Sequence, residues 1–131
     1  MPQLAPLVLK DRQATPVSHT FVPEDISSGV GALVESTGVP IGDRRVTIAM
    51  KRTPDRRKPE FRLSVPVVQD QTINGITQPT VVRTAYVDIK FNFDATSSEQ
   101  ERKDVVGMAE EALKAATTLC NDVFVKLQGV Y

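Results

Sequence analysis

The chain has no tryptophan, a single cysteine, a single histidine and no net charge across its 131 residues. Each scarcity removes a class of function. Cys120 stands alone, so neither an intrachain disulfide nor a multi-cysteine zinc site can form, and a buried helix thiol is its expected role. His19 sits between Ser18 and Thr20 in what reads as a hairpin turn. A general base needs a positioned partner and a nucleophile, and neither is visible there, so His19 reads as a solvated turn residue. Glu110 and Glu111 are adjacent on a predicted helix, where neighbours do not share a face, and they read as solvated surface. No glycine-rich phosphate loop follows a strand and no metal-ligand spacing occurs. The expectation is therefore no enzyme, no metal and no cofactor. No apolar run approaches the roughly 18 residues needed to cross a bilayer. The opening MPQLAPLVLKDR lacks a basic start and is broken by proline, unlike a signal peptide. The chain reads as soluble and cytoplasmic, with no membrane partner. Its length fits one domain, residues 1–131, whose core must rest on Val, Ile, Leu and five Phe.

Zero net charge conceals an uneven distribution. Between Arg44 and Arg62 stand eight basic residues (44, 45, 51, 52, 56, 57, 58 and 62) against Asp55 and Glu60. That segment carries +6 and the rest of the chain −6, which points to a local anion-binding surface rather than a uniformly sticky protein.

Three stretches alternate apolar and polar residues with period two, the signature of half-buried strands. Val46, Ile48 and Met50 interleave with Arg45, Thr47, Ala49 and Lys51. Phe61, Leu63 and Val65 interleave with Glu60, Arg62 and Ser64. Val87, Ile89, Phe91 and Phe93 interleave with Tyr86, Asp88, Lys90, Asn92 and Asp94. Together they predict a sheet with an apolar back and an open front bearing Arg, Lys, Thr and Tyr. Around them, Leu7 to Lys10 and Thr20 to Val22 read as an N-terminal hairpin, Pro23-Glu24-Asp25 and Ser27-Ser28-Gly29 as loops, and Val30 to Ser36 as a further strand. Strands at 45–52 and 60–68 are joined by a solvated turn, Thr53 to Pro59. Asn74-Gly75 between β-branched residues predicts a type I′ hairpin turn, followed by a long strand over 80–94.

The pattern changes after Asp94. Thr96, Ser97 and Ser98 each precede Glu99, Gln100 and Glu101 by three residues, giving three nested capping boxes with acidic residues at the positive end of a helix dipole. Helices are predicted at about 98–115 and 118–127. Strands followed by helices give an α+β fold, with helices packed on the apolar back of an antiparallel sheet. Periodicity leaves open whether those helices belong to the same subunit or to a partner.

On the front, Arg45, Lys51 and Arg62 share one face with Tyr86. Cations hold phosphates and an aromatic ring stacks on an unpaired base, while Thr47 and Ala49 leave room for a base to lie flat. Asp88 and Glu60 weaken a basic field unless they accept hydrogen bonds, for example from a base amino group. The competing reading is a sheet surface whose Lys and Arg serve only solubility.

The order and spacing of several segments decide further. Val39-Pro40, Arg45-Val46-Thr47, the basic turn Arg56-Arg57-Lys58, Val65-Pro66, Arg83-Thr84-Ala85-Tyr86-Val87-Asp88, Glu99 to Arg102 and the terminal Gly129-Val130-Tyr131 resemble the coat proteins of single-stranded RNA bacteriophages, the leviviruses, particularly their Q-beta-like branch. The resemblance implies an N-terminal β-hairpin, a five-stranded antiparallel sheet and two C-terminal α-helices. It also implies an interlocked homodimer with a continuous ten-stranded sheet, each subunit's helices lying across the partner's sheet. Such dimers assemble into an icosahedral shell around genomic RNA, and the segment Gln69 to Pro79 corresponds to the loop meeting at its symmetry axes. It has no cysteine, so disulfide-linked capsomers are not expected. The localisation implied is the virion, with the host bacterial cytoplasm before assembly. The resemblance further implies that the dimer represses replicase translation by binding an RNA hairpin. By position, Val30, Thr47, Ala49, Glu60 and Arg62 then surround an unpaired adenine, Tyr86 stacks on a loop base with Asp88 hydrogen-bonding nearby, and Arg45, Lys51 and Lys58 contact phosphates. Ala49 stands where the family often has a serine hydroxyl, and Glu60 where a neutral polar residue is common. The alternatives are a cellular RNA-binding dimer that never forms a shell and, more distantly, an enzyme dependent on His19.

Overall fold

A computed structural model describes residues 2–131. The elements are β1 (Leu7–Lys10), β2 (Ser18–Ser27), β3 (Val30–Glu35), a 3-10 turn (Pro40–Gly42), β4 (Arg44–Arg52), β5 (Arg56–Ile73), β6 (Ile76–Lys90), β7 (Phe93–Asp94), α1 (Glu99–Ala112) and α2 (Thr118–Phe124). The chain divides into two compact units, one ending at Asn92 and one beginning at Phe93. Among the described residues, no helix is long and apolar enough to cross a membrane.

The first unit is an antiparallel sheet in sequence order, β1 to β6. Strand β2 serves two neighbours. Its first part, Ser18 to Phe21, pairs with β1 to make the N-terminal hairpin, and its second part, from Val22, pairs with β3. The strands β2 to β6 form the expected five-stranded sheet. Period two places Leu33, Val46, Leu63 and Val87 in one row across four strands, and Gly31, Ile48, Phe61 and Ile89 in the next. Phe21, Leu33 and Val46 are fully buried, with Leu4, Leu7, Leu9, Phe61 and Leu63 packed against them. Farther along the same face, Ile48 and Met50 remain 42% and 50% exposed.

Two tight turns obey one rule. Asn74 and Gly75 both have positive φ, 52° and 79°, as the type I′ turn requires. Ser28 and Gly29 repeat those values, so the segment read as a loop is a second such hairpin turn. Several boundaries differ from the sequence reading. Pro23-Glu24-Asp25 lies within β2, where the register shifts between Pro23 and Asp25. A bulge tolerates the missing proline N–H. Arg56 to Pro59 belong to β5 rather than to the turn, and Gln69 to Pro79 is not a loop but a regular ladder running to the hairpin tip. Strand β6 stops at Lys90, so Phe93 falls outside it.

In the second unit the capping boxes resolve to one. The Ser98 hydroxyl accepts from the Glu101 amide at 3.2 Å, with Glu99 and Glu101 in the first turn. Both helices are shorter than predicted, ending at Ala112 and Phe124. Neither contains a fully buried residue, and Met108 and Leu119 are 71% and 68% exposed. Cys120 is on α2, half-buried rather than buried.

His19 is the largest departure from the sequence reading. It lies in β2, not in a turn, and its ring nitrogens face two carboxylates: Nε2 stands 2.8 Å from Asp11 Oδ2, and Nδ1 2.9 Å from Glu35 Oε2. Only an imidazolium can donate at both nitrogens. Arg44 also pairs with Glu35. The hydrogen bond that His19 donates to Asp11 raises the His19 pKa above its ordinary 6.5, with burial opposing and Glu35 adding to the rise. Asp11 moves the opposite way, below its ordinary 3.8, chiefly because the Val17 amide and then His19 donate to it. A raised histidine stabilises the fold below about pH 6.5 and loses that contribution as pH climbs through the raised value; a depressed aspartate stabilises above about pH 4 and loses it on acidification. The clamp that ties the N-terminal hairpin to β3 is therefore strongest between those limits. In His19→Gln, the alkaline part of this dependence in a thermal-melting series should flatten; an unchanged profile would show that His19 does not titrate with folding.

Candidate RNA interface

Strand register assembles the front face. Residues directly opposite in an antiparallel pair project to the same side, so each row of partners is a row on the surface. One row is Val30, Ala49, Glu60 and Lys90, and the next is Ala32, Thr47, Arg62 and Asp88. Beyond these, Arg45, Ser64 and Tyr86 form a third row, and Lys51 and Lys58 a fourth. The rows bring onto one face all ten residues singled out from the sequence: Val30, Arg45, Thr47, Ala49, Lys51, Lys58, Glu60, Arg62, Tyr86 and Asp88.

Within that face lies a small depression of about 100 Å³ lined by Val30, Thr47, Ala49, Lys51, Glu60 and Arg62. Its composition is mixed. Val30 and Ala49 give flat apolar wall, Thr47 a hydroxyl, and the other three give charge. Lys51 Nζ is 3.2 Å from Glu60 Oε1, and Arg62 stands 3.7 Å from Glu60 Oε2 and 3.7 Å from Asp88 Oδ1. Lys90 completes the chain at 3.9 Å from Asp88. Glu60 is the enclosed member, its side chain 11% exposed against 50% for Asp88. The Lys51 hydrogen bond holds the Glu60 carboxyl below its ordinary range against the opposing effect of burial, with Lys90 and Arg62 adding to the field. Beside the depression, Tyr86 is 79% exposed, so its ring is open to a stacking partner.

Two of these residues have surroundings that period two alone does not give. Arg45 donates to Glu24 at 2.8 Å, so its charge is partly met within the chain. Lys51 lines the depression beside Glu60. Lys90 and Glu24 were missed. Lys90 was within reach, since period two from Tyr86 and Asp88 puts it on the same face. Glu24 was hidden because the bulge in β2 sets its direction.

A larger depression, about 320 Å³, is lined by His19 and Asp11 of the clamp, by the apolar Leu9, Phe21, Leu63 and Val65, and by Lys10, Gln13 and Arg44. Among the described residues, no group of three or more His, Cys, Asp or Glu side chains is arranged to hold a metal ion.

A family model described as levivirus coat protein matches residues 2–131. The chain is 57% identical to the capsid protein of Pseudomonas phage PRR1 over 130 residues, covering 98% of this chain and 99% of that protein. It is 31% identical to the capsid protein of Escherichia virus Qbeta over 107 residues, 80% of this chain and 78% of that protein. Among solved structures it resembles the virus-like particle of bacteriophage ESE058, with a TM-score of 0.88 and 27% identity, covering 99% of this chain and 100% of that one.

Proposed function

Since the chain belongs to the levivirus coat protein family, we propose that it dimerises, builds an icosahedral shell around genomic RNA, and as a dimer binds an RNA hairpin to repress replicase translation. The observation that carries the RNA reading is the meeting of the small mixed depression with exposed Tyr86 and a row of lysines on one sheet face. Val30, Thr47, Ala49, Glu60 and Arg62 surround an unpaired adenine, and Tyr86 stacks on a loop base with Asp88 hydrogen-bonding nearby. Lys51, Lys58 and Arg45 meet phosphates, Lys51 from the edge of the base site. Before assembly the dimer resides in the host bacterial cytoplasm.

Exposed apolar surface supports the dimer. Ile48 and Met50 on the sheet, and Met108 and Leu119 on the helices, are the side chains amphipathic elements ordinarily bury. Edge-to-edge pairing into a ten-stranded sheet, with each subunit's helices across its partner's sheet, removes both surfaces from water. The hairpin tip at Asn74-Gly75 then projects toward neighbouring subunits at the symmetry axes.

A salt titration tests the RNA reading. Phosphate contacts release counterions, so affinity for a short RNA stem-loop should fall by roughly tenfold or more between 50 and 200 mM salt. A flat response would place Lys51, Lys58 and Arg62 away from the RNA.

A further inference from the structure

We infer that the tip of the N-terminal hairpin, Leu9 to His19, is a flap over the larger depression, latched to the sheet by His19 and released when that imidazolium gives up a proton. The depression opens on the apolar face of the sheet, opposite the RNA face, so the inference stands apart from the RNA reading.

The 320 Å³ depression is the space between two walls, with Leu9, His19 and Phe21 on the hairpin side and Leu63 and Val65 on the sheet side. The tip is stitched to itself. Leu9 pairs with His19 and Lys10 with Ser18. The Asp11 amide donates to the Val17 carbonyl at 3.1 Å, and the Val17 amide donates to Asp11 Oδ1 at 2.9 Å. The tip is rooted at Phe21, which is fully buried, and just beyond it, at Val22, β2 passes from β1 to β3. Rotation about that root moves the tip and leaves the core in place. The tip is tied to the sheet through His19 Nδ1, 2.9 Å from Glu35 Oε2 on β3. Leu9 adds an apolar contact to the core, so the latch biases the flap and is not its sole fastening.

The charged groups around His19 decide when the latch holds. Asp11 faces Nε2 from the connector, Glu35 faces Nδ1 from β3, and Arg44 of β4 pairs with Glu35. Lys10 and Gln13 line the depression on the hairpin side, and β5 presents only Leu63 and Val65 to it. A neutral imidazole donates at one nitrogen and accepts at the other. Asp11 pulls harder on the proton than Glu35 does, so the neutral ring keeps its N–H toward Asp11 and turns a lone pair on Glu35. Acceptor then faces acceptor at a carboxylate whose side chain is only 15% exposed, which is unfavourable. Arg44 holds Glu35 in place, so the tip is the part that yields. The latch is closed on the acid side of the raised His19 value and opens as pH climbs through it.

A thiol on the floor of the depression reads the opening. Val65→Cys is placed in the full chain with Cys120→Ser, which leaves one thiol, and its labelling rate is taken relative to free cysteine at the same pH. Between about pH 6 and about pH 9 that relative rate should rise at least about fivefold, with the circular dichroism of the sheet unchanged. Adding His19→Gln should give the fast rate at both pH values, and Glu35→Gln should do the same if the His19 variant fails to fold. A relative rate constant within about twofold across that range would overturn the latch. The same rise in a folded His19→Gln or Glu35→Gln protein would assign the pH response to another group. Loss of the sheet signal together with faster labelling would show global unfolding in place of a flap.

Discussion

Replacing Tyr86 by alanine should weaken hairpin binding by about 1–3 kcal/mol, the usual worth of a base stacked on an aromatic side chain, while shells still form. The expectation follows from position. Tyr86 lies in the row of Arg45 and Ser64, next to the row of Thr47, Arg62 and Asp88, and its ring is largely in water. It belongs to no part of the buried core, so truncation removes a platform and not a support. Tyr86→Phe separates stacking from the hydroxyl and should keep most of the affinity. A filter-binding or fluorescence titration at fixed salt reads both variants. If Tyr86→Ala bound within about twofold of the parent, no base would stack there and the placement of the RNA on this face would be wrong.

Leu33→Ala should destabilise the protein by about 2–5 kcal/mol, the range for deleting a fully buried leucine. Among the described residues of the first unit, Phe21, Leu33 and Val46 are the fully buried hydrophobic side chains, and Leu33 faces Val46 across the β3–β4 pair, so the cavity opens at the centre of a small core. Against a typical total of about 5–15 kcal/mol, that loss is a large fraction. Urea denaturation of the unassembled protein should show a lower midpoint with an unchanged slope. A cost below about 1 kcal/mol would mean that Leu33 is not a core residue.

What the sequence revealed followed where a rule had only one physical reading. Val46 to Met50 and Phe61 to Val65 alternate because one face is apolar, and the structure puts those residues on one side. Asn74-Gly75 and Ser98 declared themselves through turn and cap chemistry that is local. The hairpin arm from Gln69 to Pro79 was opaque because it is exposed on both faces, so hydrophobic alternation has nothing to mark. The His19 clamp was invisible for a different reason. Asp11 and Glu35 are distant in sequence, and only strand register brings them to the imidazole. The front face was half legible: period two gave the sides of β4, β5 and β6, but the pairing of Arg45 with Glu24 depends on a bulge that no local pattern announced.

The half-exposed apolar side chains on sheet and helices leave self-assembly as the claim with most riding on it. Expressing the chain alone in bacteria, passing the lysate over a size-exclusion column and imaging the earliest peak by electron microscopy tests it most directly. Uniform RNA-containing particles, dissociating to dimers, are the predicted result. A stable dimer that binds RNA but never forms particles, or a monomer, would contradict it.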